Sequence, residues 1–380
     1  MSFVWAYGSV GVWEWVWIED RFPSIIWIES SARSRQLSAF IKPSQTPIPP
    51  YITLIKFPLK TSPLPRYTDE AIVAARPAKH PVDPRRPYAF LVEPECTAEG
   101  RVEDVATLFL TNRECPFHCL MCDLWQHTTD TPVAVGAIPA QIDYALERLP
   151  PAEHIKLYNS GNFFDRKAIP PDDYPAIARR VEGFKTVIVE NHPNLCNDAC
   201  RRFRDLLSGS MEVALGLETT HPLVLDRLNK RMTLDDFERA VAFLRRNEIA
   251  VRAFILVKPP FMNEEDGVEW AIRSIEWAFD VGVQCCSLVP TRAGNGIMEQ
   301  IEQAGLFAPP RLTSLERALE AGLRMQRGRV FMDLWDVERF YTCARCGPAR
   351  AARLRQMNLT QRLHPPVSCD GMHAAVEHAV

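Results

Sequence analysis

From about Arg101 onward, apolar residues recur in two rhythms that alternate along the chain. Short runs rich in β-branched and aliphatic residues, at 105–110, 154–159, 186–190, 212–217, 251–257 and 284–289, predict strands. Between them, amphipathic spacing predicts helices near 139–149, 171–181, 197–207, 233–247 and 264–281. Thr233 and Asp236, ahead of apolar Phe237, Ala240, Val241 and Leu244, predict a capped start and a core-facing stripe for the fourth of these helices. Such alternation is the pattern of parallel β/α units, so the expected fold class is α/β, a partial (β/α)6 barrel. Only one more strand-like run, 329–334, follows a helical stretch at 315–326, which argues against a full eightfold barrel.

The chain before this body has a different character. From 42 to 94 prolines recur too often for a helix or a central strand, among them Pro47, Pro49, Pro50, Pro63, Pro65, Pro81, Pro84 and Pro87. This stretch predicts a linker or a surface-wrapping arm. The first residues carry Trp5, Trp13, Trp15, Trp17 and Trp27, interrupted by Glu14, Glu19, Asp20 and Arg21, so no run is long enough to span a membrane. A membrane-surface segment would lack its basic face. An over-extended translation start is the blander account, although the next methionine is Met121. The expected organisation is a Trp- and Pro-rich arm at 1–100, a core barrel at 101–335 and a Cys- and Arg-rich extension at 336–380.

Composition narrows the classes. With 380 residues, 47% of them hydrophobic, the chain can bury a large core in one enlarged domain. A formal net charge of −3 excludes wholesale attraction to nucleic acid, leaving only local patches for such contacts. The 11 cysteines without a recognisable secretory signal point to a reducing, cytoplasmic setting without structural disulfides.

Chemistry enters just after the first predicted strand, where Cys115, Cys119 and Cys122 form a Cys-x3-Cys-x2-Cys triad. Three thiolates this close can each ligate a different iron of a [4Fe-4S] cubane and leave the fourth iron without a protein ligand. Tight cysteine spacing also makes structural zinc sites, which want four ligands, and His118 is the available fourth. Lying inside the Cys-x3-Cys loop, His118 would require a short chain to fold back on itself. The spacing, entered from a strand, resembles the signature loop of the radical S-adenosylmethionine (SAM) superfamily. That resemblance implies that the open iron chelates the amino and carboxylate groups of SAM, and that reduction of the sulfonium releases a 5′-deoxyadenosyl radical.

In a β/α barrel the loops at the C-terminal strand ends build the active site. Here those loops, at 158–165, 190–193, 216–219, 258–260 and 290–296, are all unusually polar, which predicts a small-molecule pocket above the cysteines. Ser160-Gly161-Asn162 occupies the place of the family's Gly-Gly-Glu motif, which binds the SAM ammonium group. The first Gly and the Glu are missing, so backbone carbonyls and an uncharged Asn162 take over, unless the segment is a plain turn. The run from Gly216 to Arg231 resembles the region that holds the ribose and carboxylate of SAM in related enzymes. Glu218 aligns with the ribose acceptor and Lys230 with the carboxylate partner. Arg231 competes, because a guanidinium grips a carboxylate with two hydrogen bonds; both cations also suit a solvated helix end.

A second group, Cys343, Cys346 and Cys369, fits an auxiliary iron–sulfur cluster, or zinc with a fourth ligand such as His364, or free thiols. Cys285 and Cys286 fall within a strand and read as core. Cys196 and Cys200 are one helical turn apart, a weak signal. Arg345, Arg350, Arg353, Arg355 and Arg362 occur with no acidic residue before Asp370, a stripe that fits phosphate contact or a solvated face. From 107 to 369 the chain resembles the elongator-type and methylthiotransferase-type radical SAM enzymes. The segments 156–165, 254–261 and 290–296 look most like the radical SAM subunits of archaeosine synthases. The resemblance implies an enzyme that modifies a tRNA base or related purine with a [4Fe-4S] cluster and SAM. Its partners would be an electron donor such as flavodoxin or ferredoxin, a tRNA and a partner protein, without a membrane. A maturase or cofactor-biosynthesis enzyme acting on a small molecule or peptide, or a non-catalytic iron–sulfur or zinc module, are the alternatives.

Overall fold

The structure, a computed structural model, describes residues 2–7 and 13–18 as backbone and residues 64–369 in full. The chain divides into two compact units, Met1–Pro63 and Leu64–Val380. In the first, β1 (Ser2–Tyr7) and β2 (Trp13–Ile18) pair antiparallel, with Trp5 opposite Trp15.

The second unit holds one sheet and the helices that connect its strands. In chain order these are α1 (Asp69–Ala74), β3 (Ala89–Cys96), β4 (Val102–Phe109), α2 (Ala137–Leu146), β5 (His154–Tyr158) and α3 (Tyr174–Arg180). They continue with β6 (Thr186–Asn191), α4 (Asp198–Arg204), β7 (Ser210–Glu218), α5 (Pro222–Arg227), α6 (Leu234–Arg246), β8 (Ala250–Val257) and α7 (Glu264–Asp280). Last come β9 (Cys285–Pro290), α8 (Ile297–Gln303), α9 (Leu312–Met325), β10 (Arg329–Met332) and α10 (Gly347–Thr360). The sheet runs from β3 through β10 in sequence order, parallel throughout except that β3 pairs antiparallel with β4. The six expected strands are β4 to β9, so the partial barrel foreseen in the hydrophobic pattern is the fold, extended by β10. Among the described residues no helix is long and apolar enough to cross a membrane.

The pattern did not reveal β3, which falls within the proline-rich stretch expected to be a linker or arm. Pro94 sits in this strand, and β3 is the edge of the sheet, where a residue without an N–H is tolerated. The core lies between sheet and helices. Leu108, Ile155, Leu157, Val213, Leu215, Val251 and Ala253 are sealed beneath the helices, and α6 contributes Phe237, Ala240, Val241 and Leu244 as its pattern required. Thr233 and Asp236 close the predicted capping box. Each fully buried Phe or Leu stabilises the fold by roughly 1.5–3 kcal/mol.

Near the N-terminal ends of the parallel strands a buried ion network fills the barrel floor. Arg252 donates to Glu212 at 2.6 Å and to Glu95 at 2.5 Å, Lys156 donates to Glu95 at 2.6 Å, and Arg329 donates to Glu212 at 2.8 Å. Glu95 comes from β3 while its partner Arg252 comes from β8, so the network ties the edge strand across the lumen. The opposite edge, β10, is covered by α10 and the residue after it. Asn358 exchanges hydrogen bonds with the Met332 backbone and Gln361 with that of Val330, each at 2.8–3.0 Å. With the floor occupied by paired charges, the open chemistry belongs to the other end, where the strands' C-terminal loops meet.

Candidate functional site

The cysteine loop follows β4, and its backbone is anchored by side chains from distant elements. Asn295 donates to the carbonyls of Leu120 at 2.9 Å and Cys122 at 3.1 Å, and Asn229 donates to that of His118 at 2.8 Å. The Leu120 amide donates to Leu228. Burial raises the pKa of all three thiols, Cys119 to about 12 and Cys122 well above the ordinary thiol range. A thiol in such surroundings stays protonated unless a cation compensates the thiolate, which is what a metal does. Among the described residues these three sulfurs, with or without His118, are not gathered within 4.8 Å of one another, as ligands of a single ion are. Each sulfur on a separate iron needs the wider spacing. His118 instead places Nδ1 3.2 Å from Asp69 of α1.

The Ser160-Gly161-Asn162 turn, at the end of β5, sits directly on Cys115. Asn162 donates Nδ2 to Cys115 Sγ at 3.0 Å, and a Cβ at Gly161 would lie 3.4 Å from Cys115 Cβ. Ser160 holds φ +51°, and its hydroxyl donates to the Tyr88 oxygen at 2.9 Å. The Glu190 carboxylate at the end of β6 receives the amides of Asn159 at 2.6 Å and Gly161 at 3.3 Å. Burial pushes its pKa up to about 7 despite these donors. The Asn159 carboxamide is fully buried and finds no hydrogen-bond partner within the described fold. A buried polar group in that state costs about 1–3 kcal/mol, which a polar ligand beside the turn would relieve.

Glu218 and Lys230 form a buried ion pair at 2.7 Å above the same cysteines. Glu218 ends β7 with φ +66° after a register shift at Gly216, and a Cβ on Gly216 would come within 2.2 Å of the carboxylate and 2.5 Å of the ammonium. Glycine leaves the pair undisturbed, whereas a side chain there would displace its charged ends. Burial opposes the charge of Lys230, but Glu218, Cys119 and Cys115 outweigh it and hold its pKa above the usual value. The Lys230 carbonyl meets His192 Nε2 at 3.0 Å, and that ring stacks on Phe117 with centroids 3.9 Å apart. Desolvation keeps His192 neutral, its pKa pushed down to about 3. Arg231 is half exposed and pairs with Asp69. The structure thus brings Cys115, Cys119, Ser160, Gly161, Asn162, Glu218 and Lys230 to one place and turns Arg231 toward α1.

Away from this site, Cys343, Cys346 and Cys369 place their sulfurs within 4.8 Å of one another, Cys343 and Cys369 at 3.9 Å. Backbone amides of Cys346 and Arg345 donate to the Cys343 sulfur and lower its pKa to about 7. His364 does not join them; its Nε2 lies 3.0 Å from the Thr360 hydroxyl. Cys285 and Cys286 are core, as expected. Cys200 is buried and Cys196 partly so, with the Asn191 amide 3.6 Å from the Cys196 sulfur.

The arginine stripe needs correcting. Arg353 is buried and bonds Glu316 at 3.0 Å, Glu320 at 2.7 Å and the His364 carbonyl at 2.6 Å, while Arg350 pairs with Glu316. Only Arg345, Arg355 and Arg362 remain exposed, so no continuous basic face forms.

Several residues that shape the site carried no sequence signal. Asp69 and Tyr88 lie in the proline-rich stretch, and Asn229 is a single amide whose partners are far away in the chain. Glu190, His192, Asn159 and Asn295 were legible only as members of the polar strand ends.

No family profile matches the chain. It is 23% identical over 305 residues to an uncharacterized protein of Methanocaldococcus jannaschii, covering 74% of this chain and 83% of that one. It is 26% identical over 211 residues to archaeosine synthase subunit beta of Methanosarcina acetivorans, covering 52% of this chain and 59% of that one. The corresponding subunit of Thermococcus kodakarensis is 28% identical over 169 residues, 41% of this chain and 51% of that one. The chain therefore spans little more than half the length of the two archaeosine synthase subunits. Among solved structures, methylornithine synthase is 14% identical with a TM-score of 0.45, over 71% of this chain and 77% of that one. These relatives agree with the resemblance drawn from the cysteine loop and the barrel: the chain is similar to archaeosine synthase subunit beta.

Proposed function

We propose that this chain holds a [4Fe-4S] cluster on Cys115, Cys119 and Cys122 and cleaves SAM reductively. When bound, the cluster supplies the electron that splits the sulfonium into methionine and a 5′-deoxyadenosyl radical. The convergence of the Asn162–Cys115 hydrogen bond with the Glu218–Lys230 pair is the observation that carries this reading. Lys230 would receive the SAM carboxylate, since its ammonium is fixed in its charged form beside the cysteines. Glu218 would accept from the ribose hydroxyls while staying tied to Lys230. Carbonyls of the 160–162 turn, held in place by Glu190 and Tyr88, would accept from the SAM ammonium group.

The similarity to archaeosine synthase subunits supports a guanine-derived base of tRNA as the substrate, reached together with a partner subunit in the cytoplasm. A flavodoxin or ferredoxin would supply the electron. A second reading, a small-molecule or peptide substrate, gains from the capture of Arg350 and Arg353 by acidic partners, which removes the expected RNA-facing stripe. Anaerobic reconstitution followed by 5′-deoxyadenosine release tests the first step. Nucleoside mass spectrometry of tRNA from a deletion strain tests the substrate: an unchanged nucleoside profile would favour the second reading.

A further inference from the structure

The second cysteine group differs from the first in a way that selects its ligand. Around one tetrahedral zinc with Zn–S bonds of ~2.3 Å, two thiolates lie about 3.8 Å apart. Cys343 and Cys369 are 3.9 Å apart, and all three sulfurs fall within 4.8 Å. A cubane places each cysteine on its own iron and spreads the sulfurs further, as in the 115–122 loop, which does not form so tight a group among the described residues. Three soft thiolates exclude the hard cations. They supply three of the four positions that zinc takes.

The surrounding chain explains what an ion would accomplish there. Cys343 and Cys346 lie just ahead of α10, whereas Cys369 returns after it. The returning segment is held by arginines of α10: Arg353 donates to the carbonyls of His364 at 2.6 Å and Pro365 at 2.8 Å, and Arg350 to that of Val367 at 3.4 Å. The same two arginines reach Glu316 and Glu320 of α9. At the far end of α10, Asn358 and Gln361 occupy the backbone edge of β10. We propose that Cys343, Cys346 and Cys369 bind one zinc ion, not an auxiliary iron–sulfur cluster, and that the ion locks α10 over the open edge of the sheet. This does not depend on the identity of the substrate.

The test uses the full chain, purified anaerobically and reconstituted with iron and sulfide, with zinc and iron measured per chain. About one zinc should accompany the iron of a single cluster. In a Cys343→Ser/Cys346→Ser/Cys369→Ser variant zinc should drop at least tenfold while iron is unchanged. Iron falling by half with zinc unaffected would show an auxiliary cluster and overturn the proposal, as would a parental protein free of zinc. In case the variant fails to fold, cobalt added to the chelator-stripped parental protein should give thiolate-to-cobalt absorption and the intense visible bands of a tetrahedral site; absence of both overturns the assignment. For the locking role, chelation should accelerate amide hydrogen exchange at Val330 and Met332 at least tenfold. Unchanged exchange there overturns that part.

Discussion

The two ends of the barrel are built from similar residues and do opposite things with them. At the floor, Glu95, Glu212, Lys156, Arg252 and Arg329 pair among themselves inside regular strands, and the Arg252 and Lys156 charges outweigh burial to hold the Glu95 carboxyl well below the usual range. At the rim, Ser160, Glu218 and Lys258 end strands with positive φ although none is glycine. There Glu190 is held near neutrality, three thiols are held protonated by burial, and the Asn159 side-chain carboxamide goes unpaired. Positive φ also occurs at helix ends such as Glu248, Gln326 and Gln361, and unpartnered polar atoms at Asp173 and Tyr174, but at the rim they lie beside the groups a ligand would use. The floor shows that this sequence can satisfy buried charge when no ligand is awaited.

The sharpest break of this contrast is at the cysteines. Cys119→Ala should abolish 5′-deoxyadenosine release, measured by chromatography after anaerobic reconstitution, while leaving the denaturation midpoint close to parental. Release at the parental rate would sink the cluster assignment. The reverse is expected at the floor. Arg252→Ala removes the cation shared by two buried carboxylates, leaving Glu95 to Lys156 and Glu212 to Arg329, and should lower stability by about 3–5 kcal/mol. Denaturant unfolding would read this loss, and an effect below about 1 kcal/mol would mean that the floor network is not sealed from water.

A pH titration sharpens the comparison further. Because the folded pKa of Glu190 is raised to about 7 from an ordinary 4.5, its neutral form is the one folding favours. Its contribution is fully present below about pH 4.5 and is lost as pH rises through 7, at most about 3 kcal/mol in all. Glu190→Gln, which keeps an acceptor for the amides of Asn159 and Gly161, should remove that dependence. The stability difference between variant and parent should therefore grow in the variant's favour from pH 5 to pH 8. A difference that stays flat over this range would place the Glu190 carboxyl in water.

How much of this could be read from the sequence divides along the same line. Strands β4 to β9 announced themselves because buried parallel strands are continuous apolar runs, and the 115–122 loop because metal ligands impose spacing. Strand β3 was hidden because Pro94 argues against a central strand and is neutral at an edge. The arginine stripe misled because local charge is visible in a sequence but its partners, Glu316 and Glu320, lie on another helix. Tyr88 and Asp69 were invisible, and Asn295 no more than a member of a polar loop, for a related reason: each acts by reaching a backbone or side chain that only the fold brings near. The spacing of a ligand set is local information, and the shell that orients it is not.

The smallest effect expected at the rim distinguishes two adjacent cations. Lys230 faces Glu218 and the cysteines, whereas Arg231 is half exposed and bound to Asp69. Losing the charge-assisted bond between Lys230 and the SAM carboxylate should cost roughly 1.5–3 kcal/mol, about a tenfold to hundredfold weaker SAM affinity in Lys230→Ala. Arg231→Ala removes only a surface pair worth about 0–1 kcal/mol and should change affinity less than about fivefold. Iron content should stay parental in both, so that a binding defect is separated from loss of the cluster. Equilibrium binding of SAM to the reconstituted proteins decides the matter: a large loss in Arg231→Ala with none in Lys230→Ala would move the carboxylate partner by one residue and leave the buried Glu218–Lys230 pair with a structural task like that of the floor.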